Sequence, residues 1–287
     1  YESMEEVKAI FADADEASGL PITRLCFEGP METLTETVNL QPAITAVNLA
    51  CLAALEKKGV RPHVCAGHSL GEYSALRAAG VVSTQDCLKL VHQRGALMHR
   101  EATRNQGAMS AIVGLTMEQL TPLVHQAGEK GIVAVANHNS AEQIVITGTP
   151  EAVAAAGEFA VGQGARAVPL KVSGAWHSPL IQGAEAPFQA FLDSIPFDAP
   201  HCPVIHNVTA ASESDPQTIK SLMARQLCSP VRWYDSMMAM MADGVDTYVE
   251  IGPGRVLTGL LKKMLPADTD TRVFNVSDLK SLDKLPL

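Results

Sequence analysis

The sequence lacks closely spaced cysteines. None of its six cysteines forms a Cys-x-x-Cys pair or has zinc-finger spacing, which excludes a cysteine-rich metal module. Thiols scattered through long elements are typical of reduced core cysteines, so we expect a cytoplasmic protein. The six are Cys26, Cys51, Cys65, Cys87, Cys202 and Cys228.

Long apolar runs and positive charge are also scarce. The apolar runs are short and interrupted by charges, and Tyr1 begins no signal peptide, so we expect no transmembrane helix. There are 22 basic and 31 acidic side chains, and the formal net charge of −9 disfavours nucleic acid and anionic membranes as main partners. With 287 residues and 47% hydrophobic content, the chain can bury a sizeable core in one large domain or two unequal ones.

Residues 63–76 join an apolar run, a tight Gly-x-Ser-x-Gly and a helical pattern. Strand, sharp turn and helix in this order are typical of a nucleophile elbow, in which Gly67 and Gly71 allow the tight fold and Ser69 is exposed at the turn. The Leu70 N–H can then face an oxyanion. The alternative is an ordinary β–α turn with a capping serine.

Helical patterns flank this elbow, and a different pattern follows it. The first part of the chain predicts helices at 3–18, at 41–58 with Pro42 in its first turn, at 70–79, and at 84–101 capped by Ser83 or Thr84. The next part predicts the β-α-β-β-α-β order of a ferredoxin-like unit: strand 108–115, helix 117–128, strands 132–137 and 143–147, helix 150–163 and strand 165–172.

From residue 178 the larger α/β pattern resumes. It predicts helices near 179–195, 219–227, 231–242 and 255–265, with strands at 203–208, 246–251 and 272–276. The expected fold is therefore α/β: an α/β-hydrolase-like large domain with a parallel sheet, formed by residues 1–107 and 174–287, and an inserted ferredoxin-like subdomain of residues 108–173.

A serine nucleophile needs a base within hydrogen-bond reach. His177 is the favoured one of nine histidines, because it lies where the inserted unit returns to the main domain, and small-molecule sites collect at such junctions. His201 and His206 are alternatives, whereas His68 should point away from its neighbour Ser69. For a third member of a triad, candidates by position only are Asp193, Asp198 and Asp235.

Arg94 lies on the helix after the elbow, among the apolar neighbours Leu90, Val91, Leu97 and Met98. A guanidinium on a mainly buried face needs an anionic partner. That partner is either an internal carboxylate or a group that arrives with the substrate.

Several spaced motifs occur in one order: Leu40-Gln41-Pro42-Ala43, Gly67-His68-Ser69-Leu70-Gly71-Glu72-Tyr73, Gln93-Arg94-Gly95, Gly107-Ala108-Met109, Ala136-Asn137-His138-Asn139-Ser140, Trp176-His177-Ser178, Gln226-Leu227, Pro230-Val231-Arg232-Trp233 and Glu250-Ile251-Gly252-Pro253-Gly254-Arg255-Val256-Leu257. Over nearly its whole length the chain resembles the malonyl-CoA:acyl carrier protein transacylases and, more broadly, the acyltransferase domains of fatty acid and polyketide synthases.

The resemblance implies a role for each matching position. Ser69 would carry the malonyl group as an ester, His177 would be the base, and Arg94 would hold the free malonyl carboxylate as a bidentate pair. The backbone carbonyl of Gln226 would orient the histidine in place of an acid, and the Leu70 N–H would form half of the oxyanion hole. Further substrate contacts are expected from His68, Trp176 and Asn137.

The implied activity is ping-pong transfer of malonyl from malonyl-CoA to the phosphopantetheine thiol of an acyl carrier protein, for fatty acid or polyketide synthesis, by a monomer that binds neither metal nor redox cofactor. The alternatives are a serine hydrolase acting on acyl thioesters and a non-catalytic module that docks carrier protein. A basic surface of Arg255, Lys262 and Lys263, with Arg104 behind, is the expected docking site, unless it is a solvated helix face.

The chain departs from the family pattern in two places. Family members open with a strand and a Phe-Pro-Gly-Gln-Gly-Ser-Gln loop whose first Gln supplies the second oxyanion N–H, and Tyr1 lies beyond that loop. Trp176 stands where malonyl-selective members usually have Phe. A large ring there should still oppose a 2-methyl branch, which favours malonyl over methylmalonyl.

Overall fold

The computed structural model describes residues 1–285, and most of them are helical. The helices are α1 (Glu5–Ser18), α2 (Ile22–Glu28), α3 (Met31–Leu34), α4 (Thr37–Lys57), α5 (Gly71–Ala78), α6 (Thr84–Arg104), α7 (Met117–Ala127), α8 (Pro150–Gly162), α9 (Glu185–Ser194), α10 (Pro216–Arg225), α11 (Trp233–Ala242), α12 (Val256–Met264) and α13 (Leu279–Leu282), with short 3₁₀ helices at Gly128–Lys130 and Pro179–Ala184. The strands are β1 (Cys65–Ala66), β2 (Ala108–Val113), β3 (Val133–Ser140), β4 (Gln143–Gly148), β5 (Arg166–Pro169), β6 (Val204–Ile205), β7 (Thr247–Ile251) and β8 (Arg272–Val276).

Helix α4 differs from its prediction in two ways. It begins at Thr37, four residues before the predicted start, so Pro42 lies inside it. Proline removes one main-chain hydrogen bond, which the helix tolerates because most of its residues are buried against α1 and α6. Within residues 1–285, α4 is also the one helix long and apolar enough to cross a membrane, where the sequence predicted none. However, 72% of its most apolar 18-residue stretch is buried inside the protein.

The parallel strands of the large unit form two short pairs. β1 lies beside β6 with Cys65 opposite Val204, and β7 lies beside β8 with Thr247 opposite Arg272. The strand predicted at 203–208 has only two residues in the structure, because its partner β1 ends where the chain turns at the elbow. An α/β architecture with parallel pairing is confirmed, and β1 leads directly into the Ser69 turn.

The middle of the chain forms an antiparallel sheet in the order β3-β4-β2-β5, with α7 and α8 packed against it. This is the order expected for a ferredoxin-like unit. Ile112, Leu120 and Ile144 belong to a core cluster of its own, separate from the large cluster that contains Leu49, Tyr73 and Phe188. The division into residues 1–107 with 174–287 and residues 108–173 stays a prediction.

The two connections between these units lie against each other. A Cβ added at Gly107 would overlap Ala175, and one added at Gly174 would lie 2.8 Å from the Trp176 ring. Trp176 packs partly buried against the large core and against a cluster on the small sheet that includes Met109 and Ala136. The residues just before His177 are thus fixed at the junction.

Candidate active site

The turn after β1 presents Ser69 in a strained conformation. Its φ of 50° lies in the left-handed region, which an L side chain rarely adopts outside functional turns. A Cβ at Gly67 would overlap the carbonyl group of Gly71, so this position requires glycine. Gly71 does not, since its own Cβ would meet open space, and the expected need for glycine there was wrong.

His177 is the base that the fold brings to this serine. Its Nε2 lies 2.8 Å from the Ser69 Oγ, and its Nδ1 lies 2.9 Å from the backbone oxygen of Gln226. A carbonyl oxygen can only accept, so Nδ1 carries the proton. Nε2 therefore presents its lone pair to the serine hydroxyl, which is the arrangement that general-base activation needs.

The surroundings of His177 keep its ring neutral. Only 3% of the residue is exposed. Burial, together with the positive charge of Arg94, lowers the pKa of His177 from 6.5 to about 3, although the hydrogen bond to Gln226 acts in the opposite direction. The ring is therefore neutral at physiological pH, and the lone pair of Nε2 is free.

Arg94 is buried without a carboxylate partner. Its side chain is 2% exposed, and its hydrogen bonds go to neutral oxygens: Nη1 donates to Gln41 Oε1 at 2.9 Å, and Nη2 donates to Ser69 Oγ at 3.0 Å and to Gln226 Oε1 at 3.1 Å. No acidic oxygen of residues 1–285 lies within 4.0 Å of the guanidinium, and its Nε–H has no partner there. A buried cation of this kind calls for an anionic ligand.

Gln226 connects these groups to a buried acid. Its backbone oxygen accepts from His177, and its side-chain amide donates to the Ser69 carbonyl at 3.0 Å and to Glu72 Oε2 at 2.6 Å. Glu72, which is 1% exposed, also accepts from His206 Nδ1 at 2.8 Å. One residue therefore contacts serine, histidine and arginine at once.

The backbone donors of Ser69 and Leu70 differ in whether they have an acceptor. The Ser69 N–H donates to Asn207 Oδ1 at 2.7 Å, so it cannot serve an oxyanion. The Leu70 N–H, at the start of α5, has no acceptor among the described residues. It therefore remains available to a developing negative charge.

Comparison with known proteins identifies the family of the chain. Residues 3–282 match the acyl transferase domain family. The chain belongs to this family. It is 42% identical to the malonyl CoA-acyl carrier protein transacylase of Bacillus subtilis strain 168, covering 92% of this chain and 84% of that protein.

Solved structures give the same result. This acyl transferase superposes with a TM-score of 0.93 on an acyl carrier protein S-malonyltransferase from Vibrio cholerae, at 41% identity over 98% of this chain and 92% of that one. It also matches a complex of a type II PKS acyl-carrier protein with its malonyl-transacylase, with a TM-score of 0.92 at 38% identity, covering 98% and 91% of the two chains.

The remaining predicted substrate contacts lie around the elbow of this acyl transferase. His68 Nε2 lies 2.8 Å from Asn139 Oδ1, which ties the turn to β3. Trp176 precedes the histidine at the junction described above. Asn137 is buried on β3 beside Val231, and its side chain makes no hydrogen bond to Ser69, His177 or Arg94.

The alternatives from the sequence lie elsewhere. His201 packs against Gly80, and His206 bonds Glu72 instead of the serine. Asp193 accepts from Gln189, Asp235 accepts from Arg232, and neither bonds His177. Asp198 makes a backbone hydrogen bond to Val81. The absence of an acid at Nδ1 leaves the backbone carbonyl as the orienting group.

Sequence reasoning missed four polar residues that hold this site. Gln41, Glu72 and Asn139 appeared only within longer motifs, and Asn207 was not singled out. A usable signal existed for Asn207, since it follows a strand that pairs with the elbow strand, and polar side chains at the ends of adjacent parallel strands converge.

Proposed function

We propose that the chain transfers the malonyl group from malonyl-CoA to an acyl carrier protein through an ester on Ser69. The observation that carries this is the position of one hydroxyl between two groups: Ser69 Oγ is 2.8 Å from the base His177 and 3.0 Å from the buried cation Arg94. The family and the names of its relatives support the transfer. The role of each residue rests on the geometry.

The first half-reaction forms the ester. His177 Nε2 takes the proton of Ser69 as Oγ attacks the thioester carbonyl of malonyl-CoA. The Leu70 N–H donates to the resulting oxyanion. When the carbon–sulfur bond breaks, the sulfur of CoA leaves and takes the proton from His177, so the enzyme holds malonyl-Ser69 and a neutral base.

The second half-reaction reverses these steps with another thiol. His177 takes the proton of the phosphopantetheine thiol, the sulfur attacks the ester carbonyl, and the returning proton regenerates the Ser69 hydroxyl. One thioester is exchanged for another, so the overall reaction needs little driving force. Its task is to favour the carrier thiol over water.

Arg94 is proposed to bind the free carboxylate of malonyl. A carboxylate that replaces Ser69 Oγ on Nη2 and also accepts from the unpartnered Nε–H would form a side-on bidentate pair. It would also neutralise the charge that helps to depress the pKa of His177. The imidazolium that forms during each step is then easier to reach, so binding the correct acyl group favours the chemistry.

The serine hydrolase alternative fits the site less well. It expects a carboxylate partner for the histidine and gives no use to a buried guanidinium, whereas His177 bonds a backbone carbonyl and Arg94 touches the serine. The non-catalytic docking alternative does not account for a base and nucleophile in hydrogen-bond contact.

We place the carrier protein on a basic surface of the large unit. Arg255, Lys262, Lys280 and Lys284 line a cavity of about 380 Å³ between α12, β8 and α13. Lys263 is exposed on the same helix. Arg104, in contrast, lies 3.4 Å from Glu101, which offsets its charge. We also propose a monomer in the cytoplasm, and the six free cysteines support that location.

Intact mass measurement with malonyl-CoA, with and without carrier protein, tests this function. The expected result is a malonyl adduct on the enzyme alone, which disappears when carrier protein is added and reappears on the carrier. Ser69→Ala should form no adduct. An adduct that persists on Ser69→Ala, or loss of the adduct to water at the same rate without carrier, would refute the transfer mechanism.

A further inference from the structure

The strand pair beside the elbow ends in an unusual way. β1 and β6 are parallel, with Cys65 opposite Val204 and Ala66 opposite Ile205. Continuing this register places Asn207 opposite His68. In a parallel ladder, the C=O of a residue accepts from the N–H of the residue after its partner. The N–H of the same residue donates to the C=O of the residue before its partner. The main chain of Asn207 would therefore bond Ser69 and Gly67.

The main chain of Asn207 makes neither bond. Its N–H lies 3.3 Å from Glu72 Oε2, and its C=O accepts from the N–H of Arg232 at 3.0 Å. The ladder stops here because Ser69 turns into the left-handed region, with a φ of 50°.

The side-chain amide of Asn207 replaces the missing ladder bonds. Its Oδ1 accepts from the Ser69 N–H at 2.7 Å, and its Nδ2 donates to the Gly67 C=O at 2.7 Å. Both atoms of one planar amide thus bond the two peptide groups that flank His68. Asn207 is fully buried, so no water competes for these bonds.

We propose that Asn207 is a positioning residue that holds Ser69 in its reactive backbone conformation. It contacts no reacting atom. By fixing the peptide groups before and after the strained turn, it keeps Oγ within reach of His177 and leaves the Leu70 N–H free. This inference rests on the proposed function, because the conformation it stabilises is the one used for acylation.

Single-turnover acylation of Asn207→Ala tests the proposal. The maximal rate of malonyl-enzyme formation should fall by about 100-fold or more, since small displacements of a nucleophile have effects of that size. The malonyl-CoA concentration at half-maximal rate should change by less than about threefold, because Arg94 keeps its bonds to Gln41 and Gln226. A purely structural role would lower the melting temperature without this split.

Asn39→Ala is the matched control. Asn39 is also a buried asparagine whose amide donates to a backbone carbonyl, that of Thr33 at 2.8 Å, but it has no hydrogen bond to the elbow. It should lose stability and keep its acylation rate. Circular dichroism and thermal unfolding establish that each variant is folded. If Asn207→Ala does not fold, Asn207→Ser, which keeps a small polar group, carries the same expectation.

Two results would overturn the proposal: a folded Asn207 variant that acylates within about threefold of wild type, or an equal loss of rate in Asn39→Ala. Either result leaves the proposed function intact. Failure of the proposed function is recognised separately, because the wild-type enzyme would then form no malonyl adduct on Ser69.

Discussion

Ser69 and His177 share a hydrogen bond of 2.8 Å, and both have a backbone in the left-handed region, with φ values of 50° and 58°. Among residues 1–285, the only other non-glycine residue with positive φ is Ala210. Such conformations persist only where the surrounding structure enforces them. Asn207 bonds the main chain at Ser69, and the Gln226 carbonyl holds the ring of His177. The nucleophile and base are therefore positioned before substrate binds.

Replacing the base should slow both half-reactions. In His177→Ala, the rates of acylation and of transfer to carrier protein should each fall by about 100- to 10,000-fold, the usual contribution of a positioned general base. Rapid-quench mass measurement gives both rates. His125→Ala, which removes an exposed histidine on α7, should leave them unchanged. A decrease confined to one half-reaction would contradict a single base serving both.

Removing the guanidinium should change acyl selectivity. Arg94→Ala is expected to lose malonyl transfer by at least about 100-fold, because hydrogen bonds to a charged group contribute about 1.5 to 3 kcal/mol each. Transfer of uncharged acyl groups such as acetyl should be retained or increased, since an open apolar space replaces the cation. Competition between malonyl-CoA and acetyl-CoA measures this. The control is Arg77→Ala, which removes an arginine that pairs with Glu56. Unchanged malonyl kinetics in Arg94→Ala would count against carboxylate binding.

The lowered pKa of His177 makes a prediction about acid. With a pKa of about 3, the ring of the free enzyme stays neutral at pH 5, so kcat/KM for malonyl-CoA should lose no activity to histidine protonation between pH 8 and pH 5. A histidine with an ordinary pKa near 6.5 would reduce the rate about 30-fold at pH 5. A rate profile with a midpoint near 6.5 would show that the base is not shielded as described.

The unfolding free energy of the protein should also depend on the protonation of His177. Below pH 6.5 the unfolded chain binds a proton at position 177, whereas the folded protein does so only near pH 3. The unfolding free energy therefore falls as pH drops through this window, by up to about 1.4 kcal/mol per pH unit from this residue. Denaturant unfolding of wild type and His177→Gln at pH 7 and pH 5 isolates the contribution of His177. The loss of unfolding free energy between pH 7 and pH 5 should be smaller in the variant. Parallel losses in both proteins would contradict it.

The two glycines of the elbow should respond differently to the same substitution. Gly67→Ala places a Cβ into the backbone of Gly71 and Glu72, so we expect loss of folded, acylating enzyme. Gly71→Ala meets open space at a helical position and should be tolerated or stabilise the protein by up to about 1 kcal/mol. Thermal unfolding and adduct formation report both effects. Equal tolerance at both positions would mean that the turn is looser than described.

Local patterns predicted much of this molecule. Strand β8 was predicted with the bounds it has, and α1 ends at Ser18 because Gly19 adopts the left-handed conformation that stops a helix. Helices α2 and α3 were not predicted, because Gly19 and Pro21 are helix-stop signals and no clear helical pattern was identified after them. Helix α4 was shortened because Pro42 resembled a first-turn proline.

The residues of the site also differ in whether local sequence predicts them. Ser69 follows from a local turn motif, and the helical pattern marks Arg94 as buried. The amide bonds of Gln41 and Asn207 depend on which elements meet in three dimensions, and a single buried polar residue carries no local sign of its partner. Family resemblance supplied the Gln226 carbonyl, because a main-chain oxygen leaves no trace in residue type.

The proposed docking surface predicts a change confined to one half-reaction. Charge reversal in the double variant Lys262→Glu with Lys263→Glu should weaken transfer to the acidic carrier protein by about tenfold at low salt, because rim charges mainly steer association. Acylation by malonyl-CoA should stay at the wild-type rate. The difference should shrink as salt screens the charges. Lys130→Glu, on the exposed 3₁₀ turn of the small unit, is the control. Equal effects on both half-reactions, or an equal effect of the control, would place the carrier protein elsewhere.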